Sequence, residues 1–271
     1  MTTTPPSLLE AAIAVLKIDD AAGKCAAAER AVAALGAGAA IGDFARMRPP
    51  IRPARPPRPV LTRPGDVPRR RLGSIEGRIA LLHAIAHIEF NAIDLAFDMA
   101  ARFASEINSL GLDSLAFLRD WFRVGGDEAR HFGLIARRLS DLGAAYGDFP
   151  AHNGLWEAAE KTCENLLARM VVAPLILEAR GLDVTPGMIA RLRSAGDDQS
   201  ACVLEIIYEE EISHVACGRS WFHAICNAQS LEPEATFHAL RAEYFTGALK
   251  PPFNHEARER AGLTRAFYDP I

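Results

Sequence analysis

Residues 127–131 read Asp127-Glu128-Ala129-Arg130-His131, and residues 210–214 read Glu210-Glu211-Ile212-Ser213-His214. Each holds Glu-x-x-His inside a long stretch of helical apolar periodicity. A spacing of three puts the carboxylate and the imidazole on one face of a helix. Glu89 precedes the first motif, and Glu178 lies between the two. The resulting order is Glu, Glu-x-x-His, Glu, Glu-x-x-His. It is the ligand order of a two-metal carboxylate site inside a four-helix bundle.

The neighbours of the four glutamates strengthen that reading. At helical spacing Glu89 shares its face with Leu82, Ile85, Ala86, Ile93 and Ala96. Glu128 shares its face with Trp121, Val124, Phe132 and Ile135. Glu178 falls with Val171, Pro174, Leu175 and Leu182, and Glu211 with Leu204, Ile207, Tyr208 and Val215. Stripes of this kind face a core. A buried carboxylate without a partner is costly and tends to protonate. Four together repel one another unless cations neutralise them, and two divalent ions with His131 and His214 as neutral ligands would do so. The acidic residue before each ligand glutamate, Asp127 or Glu210, suits the carboxylate that usually receives a metal-bound histidine's other N–H. Arg130 would balance the local charge, and Tyr208 lies one turn before Glu211. His83 and His87 fall well around the helix from Glu89 and read as packing or surface residues. Gly125 and Gly126 fall mid-helix, where close approach of another helix or a local bulge would account for them.

Punctuation divides the rest. Residues 1–45 read as an N-terminal helical segment. Residues 46–73 form a proline- and arginine-rich strap, extended because proline fixes its own backbone and disfavours helix before it. Residues 74–230 hold the four main helices, with Asp113 and Asp197 or Asp198 as caps and Gly181 as the expected end of the third. Pro174 predicts a kink near Glu178. Residues 231–271 hold one helix and an irregular tail. No strand pattern is visible. Residues 144–152 span at most about 30 Å. Either 153–165 lies outside the bundle or the bundle is up-and-down.

The net charge of −4 is unevenly spread: residues 46–71 carry nine arginines against one aspartate, or +8, and leave −12 elsewhere. A basic strap over an acidic helical body is the plain reading. Contact with nucleic acid or another polyanion is the second, and the lack of interleaved aromatics weakens it. Five cysteines with no Cys-x-x-Cys pair argue against a disulfide framework or a thiolate site. The polar N-terminus is unlike a signal peptide, and no uninterrupted apolar run reaches the length of a membrane span. A reduced, cytoplasmic protein with no membrane partner is expected.

With these residues in hand, the chain resembles the ferritin-like superfamily of di-iron carboxylate proteins. Asp127-Glu128-Ala129-Arg130-His131 fits the Asp/Glu-Glu-x-Arg-His motif of its oxygen-activating branch, and Glu210-Glu211-Ile212-Ser213-His214 fits except for serine in place of arginine. More closely, the chain resembles an uncharacterised bacterial ferritin-like family known as domain of unknown function 455. Residues 71–98, 146–156 and 178–186 and the region around Pro252-Phe253-Asn254 carry that likeness. The resemblance implies an all-α, ferritin-like four-helix bundle flanked by N-terminal helices, strap and C-terminal tail. The metal reading then implies two iron ions, with manganese as the alternative. Dioxygen, an unnamed electron donor and an organic substrate would complete an oxidase or oxygenase. Iron handling without an organic substrate, and a helical scaffold stabilised by metal, are the competing readings. Ile135 stands where a radical-bearing tyrosine of the ribonucleotide reductase type would be. Self-association is compatible with the sequence, and the long N-terminal extension argues against a ferritin-like cage.

Overall fold

The computed structural model describes residues 6–63 and 72–269. Helices account for nearly all of the regular structure. In chain order they are α1 (Leu8–Leu16), α2 (Ala21–Gly36), α3 (Ile75–Ser109), α4 (Ser114–Asp141), α5 (Gly154–Lys161), α6 (Leu166–Val172), a π-helical segment (Ala173–Glu178), α7 (Ala179–Ser194), α8 (Asp198–Ala228), α9 (Pro233–Tyr244), α10 (His255–Arg260) and α11 (Arg265–Tyr268). Among the described residues the extended pairing is one isolated parallel bridge, Leu61 with Ala151. The chain divides into two compact units, residues 1–69 with 79–153 and residues 70–78 with 154–271.

In the first unit, α1 opens with a reciprocal capping box: Ser7 accepts from the Glu10 N–H, and Glu10 accepts from the Ser7 N–H. Asp20 caps α2, and Asp113 caps α4 by accepting from the Leu115 and Ala116 amides. Helix α2 packs on α4. The mid-helix glycines explain how closely: a Cβ on Gly126 would stand 2.9 Å from Val32 of α2, and one on Gly125 2.6 Å from the Phe97 ring of α3. The expected close approach is therefore what these glycines provide. The described part of the strap is held by scattered hydrogen bonds. Ala54 N–H donates to Leu16 O (2.7 Å), Lys24 Nζ to Ala54 O (2.9 Å) and Arg102 to Pro50 O (2.9 Å). The tract 64–71, with three of the strap arginines, lies outside the described residues.

Helix α3, of 35 residues, is long and apolar enough by composition to cross a membrane, although Glu89, Asp94 and Asp98 interrupt its apolar run. However, 78% of its most apolar window is buried within the protein, as in a core helix. The charged and polar residues of its middle, from His83 to Asp98, are buried too. Asp94 and Asp98 are fully enclosed, each with a cation: Lys24 for Asp94 and Arg102 for Asp98.

In the second unit the helix after residue 152 breaks early. Helix α5 ends at Lys161, and Asn165 caps a new start. Buried Arg169 bridges the break, donating to Ala159 O (2.6 Å) and Thr162 Oγ1 (2.9 Å). From Leu166 the chain is helical to Ser194, through the π segment and past Gly181 and Pro186. The expected stop at Gly181 is thus corrected. The kink expected at Pro174 takes the form of the π segment, since a proline cannot donate the helical hydrogen bond and one residue of slack absorbs the defect. The Pro174 ring packs where a side chain on Gly218 of α8 would be. Asp197 caps α8 by accepting from Ser200 N–H. The expected irregular tail contains two short helices, α10 and α11.

Candidate metal centre

Helix α3 supplies Glu89, and α4 supplies Glu128 and His131. All three are enclosed, at 4%, 1% and 0% exposure, a degree of burial rare for carboxylates. His131 Nδ1 lies 3.4 Å from a Glu89 oxygen and 3.5 Å from a Glu128 oxygen. The three residues offer ligand atoms within 4.8 Å of one another. Charge-assisted hydrogen bonds are shorter, about 2.7–2.9 Å. Atoms bound to one first-row ion at about 2.0–2.2 Å stand roughly 3–4.4 Å apart, a range that holds both His131 distances.

The electrostatics point the same way. Burial works against a charged His131, but Glu128 and Glu89 outweigh it and push its pKa up to about 11. Two buried carboxylates thus draw positive charge into this spot. A divalent ion would supply it while leaving the imidazole neutral and ligating. The donor set of carboxylate oxygens and an imidazole nitrogen suits iron, manganese or zinc. The residues present therefore fit a metal ion.

The second unit repeats the motif on α8. His214 is fully buried, and its Nδ1 lies 3.6 Å from a Glu211 oxygen. Glu178 is half-buried and closes the π segment. Inserted residues of this kind shift the face on which the following side chains emerge, and they are frequent at functional sites. The residues around these side chains are placed as follows. Asp127 is flanked by Arg130 at 3.3 Å and Arg123 at 3.8 Å. Glu210 is half-buried on α8. The Tyr208 hydroxyl accepts a hydrogen bond from the Asn254 side-chain amide at 2.9 Å. Tyr208 also lines an open groove of about 620 Å³ with Pro186, Ile189, Ala190, Arg193, Glu205 and Glu209.

Several important polar groups escaped the sequence reading. Lys24 of α2 forms an ion pair with Asp94 in which both side chains are fully buried. A lone lysine on an otherwise alanine-rich face was the available signal. His87 and His83, read as packing or surface residues, are both buried and hydrogen-bonded. His87 Nε2 faces His152 O (3.2 Å), so that nitrogen carries the proton and Nδ1 accepts from Tyr146 OH (2.9 Å). His83 Nε2 accepts from Gly147 N–H (2.9 Å). In the tail, Arg258 binds Asp183 of α7 in a bidentate pair (2.8 and 2.7 Å), and its guanidinium lies over the Tyr268 ring at 4.3 Å.

A protein of Haemophilus influenzae (strain ATCC 51907 / DSM 11121 / KW20 / Rd), described as an uncharacterized protein, is 42% identical over 210 residues, 78% of this chain and 73% of that one. No solved structure matches the chain. The family described as protein of unknown function DUF455 matches residues 17–269, nearly the whole sequence, and the chain belongs to it.

Proposed function

We propose that the protein is a ferritin-like di-metal carboxylate protein that activates dioxygen to oxidise an organic substrate. The observation that carries the reading is the enclosed trio of Glu89, Glu128 and His131, with both carboxylates gathered against the imidazole. The Glu211–His214 pair on α8 is the second support, and Glu178 at the end of the π segment is the third.

On this reading Glu89, Glu128 and His131 hold mainly one ion. Glu178, Glu211 and His214 would hold mainly the other. Iron is the first choice and manganese the alternative. The ions, when bound, supply one-electron steps with dioxygen. The chain supplies fixed ligand geometry and a water-poor surround. Asp127 and Glu210 take the role of carboxylates that orient the ligand imidazoles, and Arg130 limits the local negative charge. The groove beside Tyr208 has the size of a small-molecule pocket and a mostly hydrocarbon lining, which suits an apolar substrate body. Electrons come from a separate donor.

The test is metal content after anaerobic Fe(II) loading and desalting, for wild type and Glu128→Ala. About two irons per chain in wild type with clear loss in the variant is the expected outcome. Retention of no iron by the wild type would refute it. Oxygen uptake by the loaded protein with and without added organic compounds then separates substrate oxidation from simple ferrous oxidation.

A further inference from the structure

Pro186 sits inside α7, and its ring nitrogen carries no hydrogen. The carbonyl four residues earlier, Leu182 O, therefore has no helical donor. The donor comes from the C-terminal tail. Asn254 Nδ2 donates to Leu182 O at 3.1 Å, and its other amide hydrogen goes to the Tyr208 hydroxyl oxygen at 2.9 Å. The amide cannot be turned the other way, because Asn254 Oδ1 caps α10 by accepting from Ala257 N–H. Its backbone N–H donates to Asp183 at 2.9 Å, which anchors the residue from behind. A single side chain thus ties α7 to α8. It does so one turn after Glu178 and one turn before Glu211, at the level of both carboxylates.

The same bond fixes the direction of the Tyr208 hydroxyl. Because its oxygen accepts from Asn254, its one proton is left to donate elsewhere. We propose that Asn254 is a positioning residue for the metal ligands Glu178, at the end of the π segment, and Glu211 of α8, acting through Leu182 of α7 and through the orientation of the Tyr208 hydroxyl. The proposal rests on the metal reading above. The hydrogen bond missing at Pro186 is part of the device, since it leaves the Leu182 carbonyl for the tail to recognise.

Asn254→Asp separates this role from plain structure. It keeps the size and the α10 cap, and it removes both donated hydrogens. Tyr208→Phe removes the hydroxyl, both its acceptor oxygen and its proton, and leaves the bond from Asn254 to Leu182 O in place. The probe is Co(II), added anaerobically to the full chain, with the visible absorption spectrum reporting ligand geometry and capture by a chelator reporting release. Wild type is expected to bind Co(II) with resolved bands. Asn254→Asp is expected to bind it with altered bands and roughly tenfold faster release, the low end for loss of a group behind a ligand. Tyr208→Phe should alter the same bands, and the double variant should add little to either single one. A folded Asn254→Asp protein with wild-type spectrum and release overturns the proposal. If that variant does not fold, unchanged bands and release in Tyr208→Phe overturn it instead. A wild type that takes up no Co(II) sinks the metal reading and the proposal with it, and that outcome is visible before any variant is made.

Discussion

Lys24 and Asp94 meet with no exposed side-chain surface on either partner. Burial lowers the Lys24 pKa, against the pull of Asp94, and burial raises the Asp94 carboxyl to about 6, against the pull of Lys24. Both shifts oppose charge, so desolvation outweighs the mutual attraction. Such a pair specifies an arrangement more than it stabilises one. Lys24→Met, which strands a buried carboxylate, should cost about 3–5 kcal/mol in urea unfolding at pH 7. Lys24→Met with Asp94→Leu should recover most of that loss, and a double variant as weak as the single one would contradict the account. His87 makes the opposite kind of prediction. Burial, helped by the nearby Arg55 charge, pushes its pKa from 6.5 down to about 4. The folded state therefore refuses a proton that the unfolded chain accepts near pH 6.5. The stability tied to neutral His87 is complete above pH 6.5 and is lost as pH falls towards 4. The loss is on the order of 3 kcal/mol. His87→Gln should flatten the wild-type stability profile across that window, and parallel profiles would reject this cause.

At the scale of elements, the π segment is the feature on which Glu178 depends. Its proline occupies the space left by Gly218 of α8. Gly218→Ala should therefore force the segment away from α8, costing about 1–3 kcal/mol as an overpacked core substitution. The same change should weaken Co(II) binding. Pro174→Ala added to Gly218→Ala should restore part of both, measured by thermal unfolding and metal titration. An undiminished Gly218→Ala protein would show that the contact yields without consequence. The element level also marks where the sequence was readable. Helices α4 and α8 start where expected, because Asp113 and Asp197 carry local capping chemistry. The continuation of α7 past Gly181 and through Pro186 was not readable. The donor that replaces the missing hydrogen bond lies on Asn254, about seventy residues along the chain. The two short tail helices were hidden for a related reason: Arg258 and Asp183 hold them by a tertiary ion pair, not by a periodic stripe.

For the molecule as a whole, the burial of Glu89, Glu128, His131 and His214 was legible from the apolar stripes around them, whereas Glu178 and Glu211 on similar stripes are only half-buried. The close packing of α2 on α4 was half legible. Gly125 and Gly126 signalled that something comes near, but not that it would be Val32 and Phe97. The buried amine on α2 was not foreseen, and it has a practical use. Of the four lysines, Lys17, Lys161 and Lys250 are exposed, and Lys24 alone is sealed. An amine-acylating reagent applied to the native protein should modify three lysine side chains quickly and the fourth only when α2 lifts away. Mass spectrometry of that fourth modification would time the undocking of the N-terminal helices. The chain thus carries its own clock for that event, with no probe to be engineered.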